Sequence, residues 1–502
     1  MRRLVRSTAI LGLGSVATVV AAIVRAKILA ARLGPEGTGV LAQLASLTAV
    51  LVPLATLGIG NGLVAMIAEA RAANDFARVH ALTRLGSRLA WGVGGGLALL
   101  AALASPWLAA GIYRDSAFTW AILLGAASVP LSAVASVNIS MLQGHQAVRS
   151  MAGLNVAIAV AQIATIVPLA FLWGVPGAVA QLVVITAIWA WWSGRLLAPH
   201  TPRAPRAPSP PGPGAGTVPA AAAAKPLLRP LLRYGISSLL VGLSSTLTLL
   251  VLRSMLVDKL GLPANGIYQV CVGVSGLLMP TILNAITANV WPEIAALPYD
   301  ADVPPVMRSG VRLAFLLTTG FCAAILVGAP IWVPLFYSGR FLPALDLLPI
   351  QFLGDYFRAA AWMFGIWLVP RNRLRPWVLF DVVYGVTLLV AFVLLVDRVG
   401  LKSVVIGYVL AHMTHAGLHY WLARRSTGFK LGPDNRRLLG ASLALLLGLL
   451  AWTPKNLVGV GLGGLALVVW AAIVVRRREW VALLEVGRRR LAISERERPS
   501  PE

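Results

Sequence analysis

The sequence predicts an all-α, polytopic membrane protein of about 14 transmembrane helices, in two pseudo-symmetric six-helix lobes followed by two extra helices. Of the 502 residues, 58% are hydrophobic and 12% are charged, whereas a soluble chain carries about a quarter of charged residues. Apolar runs of about 20 residues, the length that crosses a bilayer as a helix, recur along the chain. A helix-breaking segment at the end of the first run appears again midway. Together these observations predict an integral membrane protein built by duplication.

The apolar runs define the helices in chain order, because a bilayer admits only helices or a closed barrel and no run alternates as a strand would. The predicted spans lie near residues 8–33, 39–68, 88–112, 117–142, 151–173, 177–197, 231–257, 264–291, 309–337, 342–369, 376–396, 403–423, 438–453 and 457–475. Cys271 and Cys322 fall inside these helices without metal-ligand spacing, and we interpret them as small packing residues.

The duplication is visible in one short motif. The stretch ARLGPEGTGV has a counterpart in DKLGLPANGI, and the alignment places Gly34 on Gly261 and Gly39 on Gly266. Both stretches end one apolar helix and begin another. This pattern is typical of a two-lobed transporter whose halves arose by parallel duplication.

The basic residues are concentrated in alternate connections between the predicted helices. The chain carries 43 Lys and Arg against 18 Asp and Glu, a formal net charge of +25. With a cytoplasmic N-terminus, roughly 32 of the basic residues fall in inner segments and about 7 in outer ones, as the positive-inside rule requires. We therefore predict a multi-pass protein of the cell (inner) membrane, with both termini cytoplasmic and no nucleic-acid partner.

The chain divides where its composition changes. The predicted N-terminal lobe, with helices one to six, covers residues 1–197, and a Pro- and Ala-rich cytoplasmic linker covers 198–230. The C-terminal lobe, with helices seven to twelve, covers 231–424, and the two extra helices cover 425–476. Residues 477–502 form a basic amphipathic tail that we expect to lie on the anionic inner leaflet, a solvated helix end being the alternative.

Cations inside the predicted helices are the main candidates for substrate binding, because an ionisable group in lipid costs about 2.5–3.5 kcal/mol unless it faces protein or water. Arg25 and Lys27 lie two positions apart and so point to nearly opposite sides of the first helix. Arg253 falls within one position of Arg25 in the repeat alignment. We predict that Arg25 and Arg253 line a shared cavity that attracts an anion, with Lys27 as a further candidate. Snorkelling or structural pairing is the alternative.

Three other polar residues are candidates for substrate binding. Asp355 and Arg358 lie at i and i+3 in the tenth predicted helix, where they either form a structural ion pair or place Arg358 against substrate. Asn61 belongs to a set of amides inside the predicted helices, and such amides either join helices or bind sugars.

His412, His415 and His419 form one stripe on the twelfth predicted helix, because their spacing is i, i+3 and i+7. Imidazole titrates near neutral pH, so the stripe is a candidate for ion coupling by proton relay, with a polar packing face as the alternative. No further ligands stand out beside these histidines, and we expect neither a metal nor a cofactor.

Several stretches resemble one family of transporters. KILAARLGPEGTGVLAQLASL, LATLGIGNGLVAMIAEA, GIYQVCVGVSGLLMPTILNAITANVWPEIAAL and LLPIQFLGDYFRAAAWMFGIWLVPRNRLRPWVLFDVVYGV look like parts of the O-antigen and enterobacterial-common-antigen flippases. These are Wzx-like polysaccharide transporters of the multidrug/oligosaccharidyl-lipid/polysaccharide exporter superfamily. The resemblance is patchy but reaches both lobes, and the LGPxxxG break recurs across that superfamily.

The resemblance implies translocation of undecaprenyl-diphosphate-linked oligosaccharides from the cytoplasmic to the outer leaflet by alternating access, for surface polysaccharide biosynthesis. Arg25 matches a first-helix arginine that is thought to hold the diphosphate in relatives, and Arg253 is a looser match to one on the seventh helix. The implied partners are a polyprenyl-diphosphate-linked glycan, membrane lipids, and a polysaccharide polymerase with its chain-length machinery. The linker and the two extra helices depart from many O-antigen flippases, whereas lipid II flippases also have fourteen helices, so a lipid II-type flippase for peptidoglycan precursors is an alternative.

Two other functions compete with this interpretation. A drug or small-cation exporter of the same architecture would need carboxylates inside the N-terminal lobe, but Glu69 and Asp75 lie at or beyond the inner end of a predicted helix. A membrane glycosyltransferase, polymerase or ligase would need a sizeable catalytic loop, and the predicted outer turns are short. No Walker motif is present, so an ion gradient, the membrane potential or substrate flux would supply the energy. We predict a transporter without enzymatic activity.

Overall fold

The computed structural model describes residues 2–201, 220–452 and 457–476, and within them it contains helices and no strand. The α-helices in chain order are α1 (Arg2–Ala55), α2 (Gly60–Ala72), α3 (Phe76–Leu103), α4 (Ser105–Ile112), α5 (Thr119–Gly144), α6 (Val148–Leu197), α7 (Ala220–Ala296), α8 (Val303–Phe336), α9 (Leu348–Gly365), α10 (Leu374–Val399), α11 (Lys402–Thr427), α12 (Pro433–Ala451) and α13 (Leu457–Val474). The predicted all-α class is confirmed. Most of the predicted linker and the whole predicted tail lie outside the described residues.

Three long helices are broken at glycines. Gly34 in α1 (φ 65°), Gly174 in α6 (φ 59°) and Gly261 in α7 (φ 81°) have left-handed backbone conformations that interrupt the helical path. Glycine adopts positive φ without the steric cost that a Cβ imposes. Pro35 follows the first break and cannot donate a backbone hydrogen bond to the preceding turn. The paired breaks predicted at Gly34 and Gly261 are therefore present.

The duplication extends beyond the breaks to the turns between helices. Gln146 and Asn372 are both non-glycine residues with a φ of 54°, and each lies in the turn after a helix end. The second follows the first by about 226 residues, nearly the same spacing as between the two breaks. The turn hydrogen bonds also correspond, because the backbone N–H of Ala147 donates to Leu142 O at 3.0 Å and that of Arg373 donates to Leu368 O at 2.8 Å. The two halves therefore repeat backbone geometry as well as sequence.

The apolar helices are long enough for a multi-pass membrane protein. Seven helical stretches of the described chain could cross a membrane by length and composition. Three of them, Ala17–Ala55, Val148–His200 and Gly242–Ala296, are 39, 53 and 55 residues long, and each contains one glycine break. At 1.5 Å per residue these stretches are roughly 60 to 80 Å long, about twice the ~30 Å thickness of a hydrocarbon core or more. The membrane orientation of the termini stays a prediction.

The chain forms two compact units. Unit 1 comprises Met1–Val274, Ile331–Leu347 and Leu374–Ala411, and unit 2 comprises Ser275–Pro330, Leu348–Arg373 and His412–Glu502. Unit 1 contains segments from both halves of the sequence, whereas the segments of unit 2 all come from the second half. The predicted division into lobes, linker, extra helices and tail stays a prediction.

Small residues allow close helix packing inside unit 1. A Cβ at Gly94, in the middle of α3, would lie 3.0 Å from the Cα of Pro130 on α5. At the end of α5, a Cβ at Gly144 would lie 2.9 Å from the Cβ of Ile67. Membrane helices lack a hydrophobic driving force between them and rely on such close backbone approach. This packing fixes the first half of the chain as a dense helical body.

Candidate functional site

The two glycine breaks of the repeat cross each other inside unit 1. A Cβ on Gly39 would collide with the carbonyl oxygen of Leu262, and a Cβ on Gly266 would collide with the carbonyl oxygen of Pro35. Gly39 corresponds to Gly266 in the repeat, and Pro35 corresponds to Leu262, so the two contacts are equivalent by pseudo-symmetry. Glycine at both positions lets the two backbones touch. The motif that marks the duplication in sequence is therefore its contact point in space.

A buried polar network surrounds this crossing. The Arg253 guanidinium donates to Asn265 Oδ1 at 2.7 Å and to Gln269 Oε1 at 2.5 Å, and it lies 5.5 Å from the centre of the Tyr268 ring. Asn265 in turn donates from Nδ2 to the backbone oxygen of Gly39 at 2.9 Å. Arg253 is 1% exposed, so amide oxygens and a ring face replace water around the charge.

Gln43 extends the network from α1. Its Nε2 donates to Ser254 Oγ at 2.9 Å and to the backbone oxygen of Ile112 at 3.2 Å. Gln43 is fully buried, so each of these bonds satisfies a group that water does not reach. The network thus joins α1, α4 and α7 around the crossing.

Arg253 therefore holds these helices together as well as carrying charge. The sequence placed it in a cavity with Arg25, whereas the structure surrounds its side chain with protein groups in this conformation. Substrate binding by Arg253 stays a prediction. The sequence alone did not identify Asn265 and Gln269 as partners of Arg253. Both follow the break at Gly261, and they reach Arg253 only because α7 changes direction there.

Arg25 and Lys27 have different environments, as their spacing predicts. Lys27 Nζ donates to the backbone oxygen of Pro334 at 3.1 Å, in the last turn of α8, where a cation compensates free carbonyls and the helix dipole. Arg25 is half-buried, and its Nε is buried without a hydrogen-bond partner among the described residues. Arg32, seven residues later, donates to the Phe171 backbone oxygen at 3.2 Å. Lys27 and Arg32 thus donate hydrogen bonds to protein acceptors, whereas the Nε donor of Arg25 remains available.

Asn61 lies on the exposed surface at the start of α2. Its side chain or backbone also interacts with another part of the protein. Its role in substrate binding stays a prediction.

Asp355 and Ser275 form the centre of a buried cluster in unit 2. Ser275 Oγ donates to Asp355 Oδ2 at 2.5 Å, and Gln351 Nε2 donates to Ser275 Oγ at 3.1 Å. Asp355 is fully buried. The half-buried Arg358, one helical turn further along α9, lies close enough to His412 for its charge to act on that imidazole. Asp355 and Arg358 therefore belong to a polar region shared by α7, α9 and α11.

The histidine stripe continues this polar region along α11. His412, His415 and His419 are 6%, 9% and 1% exposed. The Nε2 atoms of His415 and His419 lie 3.0 Å apart, a hydrogen-bond distance, and the rings of His412 and His415 are 6.2 Å apart. The predicted stripe therefore forms a buried row of imidazoles, and unit 2 brings it together with Arg358.

An apolar groove of about 310 Å³ lies elsewhere in unit 2. Its lining consists of Thr287, Ala288, Trp291, Pro292, Ala295, Val369 and Pro370. A head group with phosphates needs convergent donors, and the Trp291 indole N–H is already bonded to the backbone oxygen of Ile366 at 3.1 Å. This groove therefore does not provide an anion site.

A histidine pair lies at the end of α5 in unit 1. His145 follows the last residue of α5, is 7% exposed, and makes an edge-to-face ring contact with His200 at 5.7 Å. Burial lowers the pKa of His145 from 6.5 to about 4, and the charges of Arg71 and His200 add to the effect. His145 is therefore neutral at pH 7.

Acidification is expected to destabilise this end of unit 1 through His145. In an unfolded chain the imidazole binds a proton near pH 6.5, whereas in the folded protein it does so near pH 4. Stability is therefore constant above pH 6.5 and falls as the pH decreases from 6.5 toward 4. We expect a loss of ~1–2 kcal/mol between pH 7 and pH 5, which His145→Gln removes. Thermal unfolding of both proteins at the two pH values measures this, and equal pH dependence would exclude His145 as the group responsible.

Comparison with known protein families shows to which family the chain belongs. Residues 4–297, more than half of its length, match the family described as polysaccharide biosynthesis protein. The chain belongs to this family. It is also similar to the lipid III flippase of Escherichia coli (strain K12), at 21% identity over 404 residues, which cover 78% of this chain and 91% of that protein.

Solved transporters share the fold. An inward-facing multidrug resistance MATE family transporter of the MOP superfamily has a TM-score of 0.67 at 16% identity, over 86% of this chain and 99% of that one. The lipid II flippase MurJ in its inward closed conformation has a TM-score of 0.63 at 11% identity, over 93% and 98%. These similarities confirm the predicted transporter fold. Because the relatives are flippases and transporters, the prediction that this member of the family is not an enzyme is also confirmed.

Proposed function

We propose that this protein is a flippase that moves a polyprenyl-diphosphate-linked oligosaccharide from the cytoplasmic to the outer leaflet by alternating access. Membership of the family supports a role in polysaccharide biosynthesis. Similarity to the lipid III flippase supports a lipid-linked precursor as the substrate. Both termini then lie in the cytoplasm, with residues 1–197 and 231–424 as the two lobes. A polysaccharide polymerase with its chain-length machinery would use the delivered glycan.

The state of Arg25 is the observation that carries the proposal. Its Nε is buried without a hydrogen-bond partner among the described residues. Lys27 donates to a protein acceptor, and Arg253, whose Nε also has no partner there, donates through both terminal nitrogens. A guanidinium presents its N–H groups as a planar fork that binds phosphate oxygens in pairs. A cation inside an apolar helix is therefore suited to a diphosphate, while the lipid tail can stay in the bilayer.

Moving such a lipid breaks no bond, so the protein has to reduce the cost of carrying charge through a low-dielectric region. An unpaired phosphate loses several kcal/mol or more of hydration when it leaves water. A guanidinium that hydrogen-bonds the phosphate offsets part of this cost. Alternating exposure to the two sides then provides direction when a gradient or substrate flux supplies free energy.

Arg25→Ala is expected to slow lipid flipping about 10- to 150-fold, because a hydrogen bond to a charged group contributes about 1.5–3 kcal/mol. The measurement is flipping of a fluorescent polyprenyl diphosphate by the full-length protein in liposomes, together with accumulation of lipid-linked glycan on the inner leaflet of cells. Arg25→Lys keeps the charge without the fork and should retain intermediate activity.

Arg32→Ala is the matched control, because it removes one arginine from the same helix whose partner is the backbone of Phe171. This variant should flip lipid at close to the wild-type rate. Wild-type flipping by Arg25→Ala, at normal protein levels, would contradict the proposed role of this cation.

The carboxylates at the ends of α2 and α3 give the alternative of a small-cation exporter little support. Glu69 lies near the end of α2, its side chain is 66% exposed, and it pairs with Arg78 at 3.1 Å. Asp75 caps the start of α3 by accepting from the backbone N–H of Arg78. These carboxylates compensate surface cations and helix ends, so they do not provide a cation-binding interior.

A further inference from the structure

The histidine row of α11 contains a direct contact between two imidazoles. The Nε2 atoms of His415 and His419 are 3.0 Å apart, and the ring centres are 4.6 Å apart. A hydrogen bond at this distance needs a proton on one nitrogen and a lone pair on the other. The pair can therefore share one proton between these two nitrogens but not accommodate two.

The position of His419 depends on the residue it packs against. A Cβ at Gly365, the last residue of α9, would lie 2.6 Å from His419 Nδ1. Glycine thus leaves the space that the imidazole occupies. Phe364, Tyr420 and Phe429 form an aromatic cluster at this end of the row, with ring centres 5.3–6.0 Å apart. The contact between the two histidines is therefore supported by its surroundings.

The ionisable groups near the row come mainly from α9. The charge of Arg358 reaches His412, and the buried carboxylate of Asp355 lies one turn earlier on α9, bonded to Ser275. Like charges repel, so an added proton is better placed on the His415–His419 pair than beside Arg358. Tyr420, a further titratable residue on α11, packs its ring against Phe364 and Phe429 at the His419 end of the row. Apolar side chains could pack this helix face equally well, so packing alone does not explain why His412, His415 and His419 contact one another there.

We propose that His415 and His419 form a proton-binding pair that couples a proton gradient to transport. In the described conformation the rings are buried, and an added charge there costs free energy. A conformation that admits water to α11 would take up the added proton on an Nδ1 of the pair, while the two Nε2 atoms go on sharing the proton between them. The return to the buried state on the other side would release the added proton. The coupling part of this inference rests on the proposed flippase function.

The first test is direct observation of the proton. The ¹⁵N signals of the histidine rings are recorded for the full-length protein in liposomes between pH 8 and pH 5, and His415→Gln and His419→Gln assign them. We expect a single protonation step that belongs to both rings and is lost in either variant. Rings that stay neutral, or that titrate independently, would overturn the proposal.

The second test is lipid flipping of a fluorescent polyprenyl diphosphate with and without an imposed pH gradient of two units. The wild type should respond to the gradient by several-fold, and His415→Gln should lose that response. Gly365→Ala should lose it too, because its methyl group displaces the His419 ring without removing a titratable group. Gly417→Ala on α11, where a Cβ would meet nothing within 4 Å, is the matched control and should respond as the wild type does.

The outcomes separate the two proposals. Flipping that ignores the gradient, although the pair binds its proton, would overturn the coupling. Absence of flipping at every gradient, with the shared protonation intact, would count against the flippase function while supporting the proton site.

Discussion

Gly266→Ala is expected to prevent the protein from accumulating in the membrane. The new methyl group would collide with the backbone carbonyl of Pro35, and a backbone oxygen cannot move aside as the end of a side chain can. The two helix breaks would have to separate, which would also strain the hydrogen bond from Asn265 to Gly39 O. Overpacking a dense interior costs about 1–3 kcal/mol, and a clash between backbones belongs at or above the upper end.

The measurement is the level of folded, monodisperse protein after extraction, followed by thermal unfolding of whatever remains. Pseudo-symmetry adds a second variant, because Gly39→Ala makes the equivalent collision with Leu262 O and should fail in the same way. Gly242→Ala is the control, since it lies in the same helix and its Cβ would meet nothing within 4 Å. Normal yields of the Gly266 variant would mean that the breaks do not touch in the native state.

Arg253→Ala is expected to lower thermal stability strongly. It leaves Asn265 Oδ1 and Gln269 Oε1 in a buried region without their charged donor. An unsatisfied buried acceptor costs about 1–3 kcal/mol, so we expect a loss of ~2–4 kcal/mol after partial rearrangement. Thermal unfolding of the purified protein in detergent measures this loss.

A double-mutant cycle identifies the source of the effect. If the bond between Arg253 and Asn265 is responsible, the loss caused by Arg253→Ala should shrink in an Asn265→Ala background. Arg114→Ala is the control, because its pair with Asp258 at 3.0 Å is half-exposed and contributes at most about 1 kcal/mol. Wild-type stability of Arg253→Ala combined with lost flipping would favour the alternative that Arg253 serves the substrate.

The sequence was most informative where backbone conformation is a local property. Gly34 and Gly261 could be predicted as helix breaks because each lies between two apolar helices. Glycine there can adopt the left-handed conformation that interrupts a helix. The same holds for the spans, since about 20 apolar residues in lipid have to form helix. Helical periodicity alone predicted that Arg25 and Lys27 have different environments, and the structure shows different ones.

The partners of polar side chains were less accessible to sequence reasoning. Asp355 accepts a hydrogen bond from Ser275, 80 residues earlier, a partner that its spacing from Arg358 could not indicate. Its pairing with Arg358 stays a prediction. Lys27 caps α8 through Pro334, 307 residues later. Spacing on one helix gives the face of a side chain, whereas its partner depends on which other helix packs there.

By itself the sequence determined the all-helical membrane fold, the duplication and the row of histidines, because each depends on hydrophobic length or on residues within a few helical turns. Only the tertiary structure decided that the two breaks touch, that Arg253 is held by amides beyond the break, and that Arg25 keeps an unpartnered Nε among the described residues. These are contacts between segments far apart in the chain, and they form only when whole helices pack.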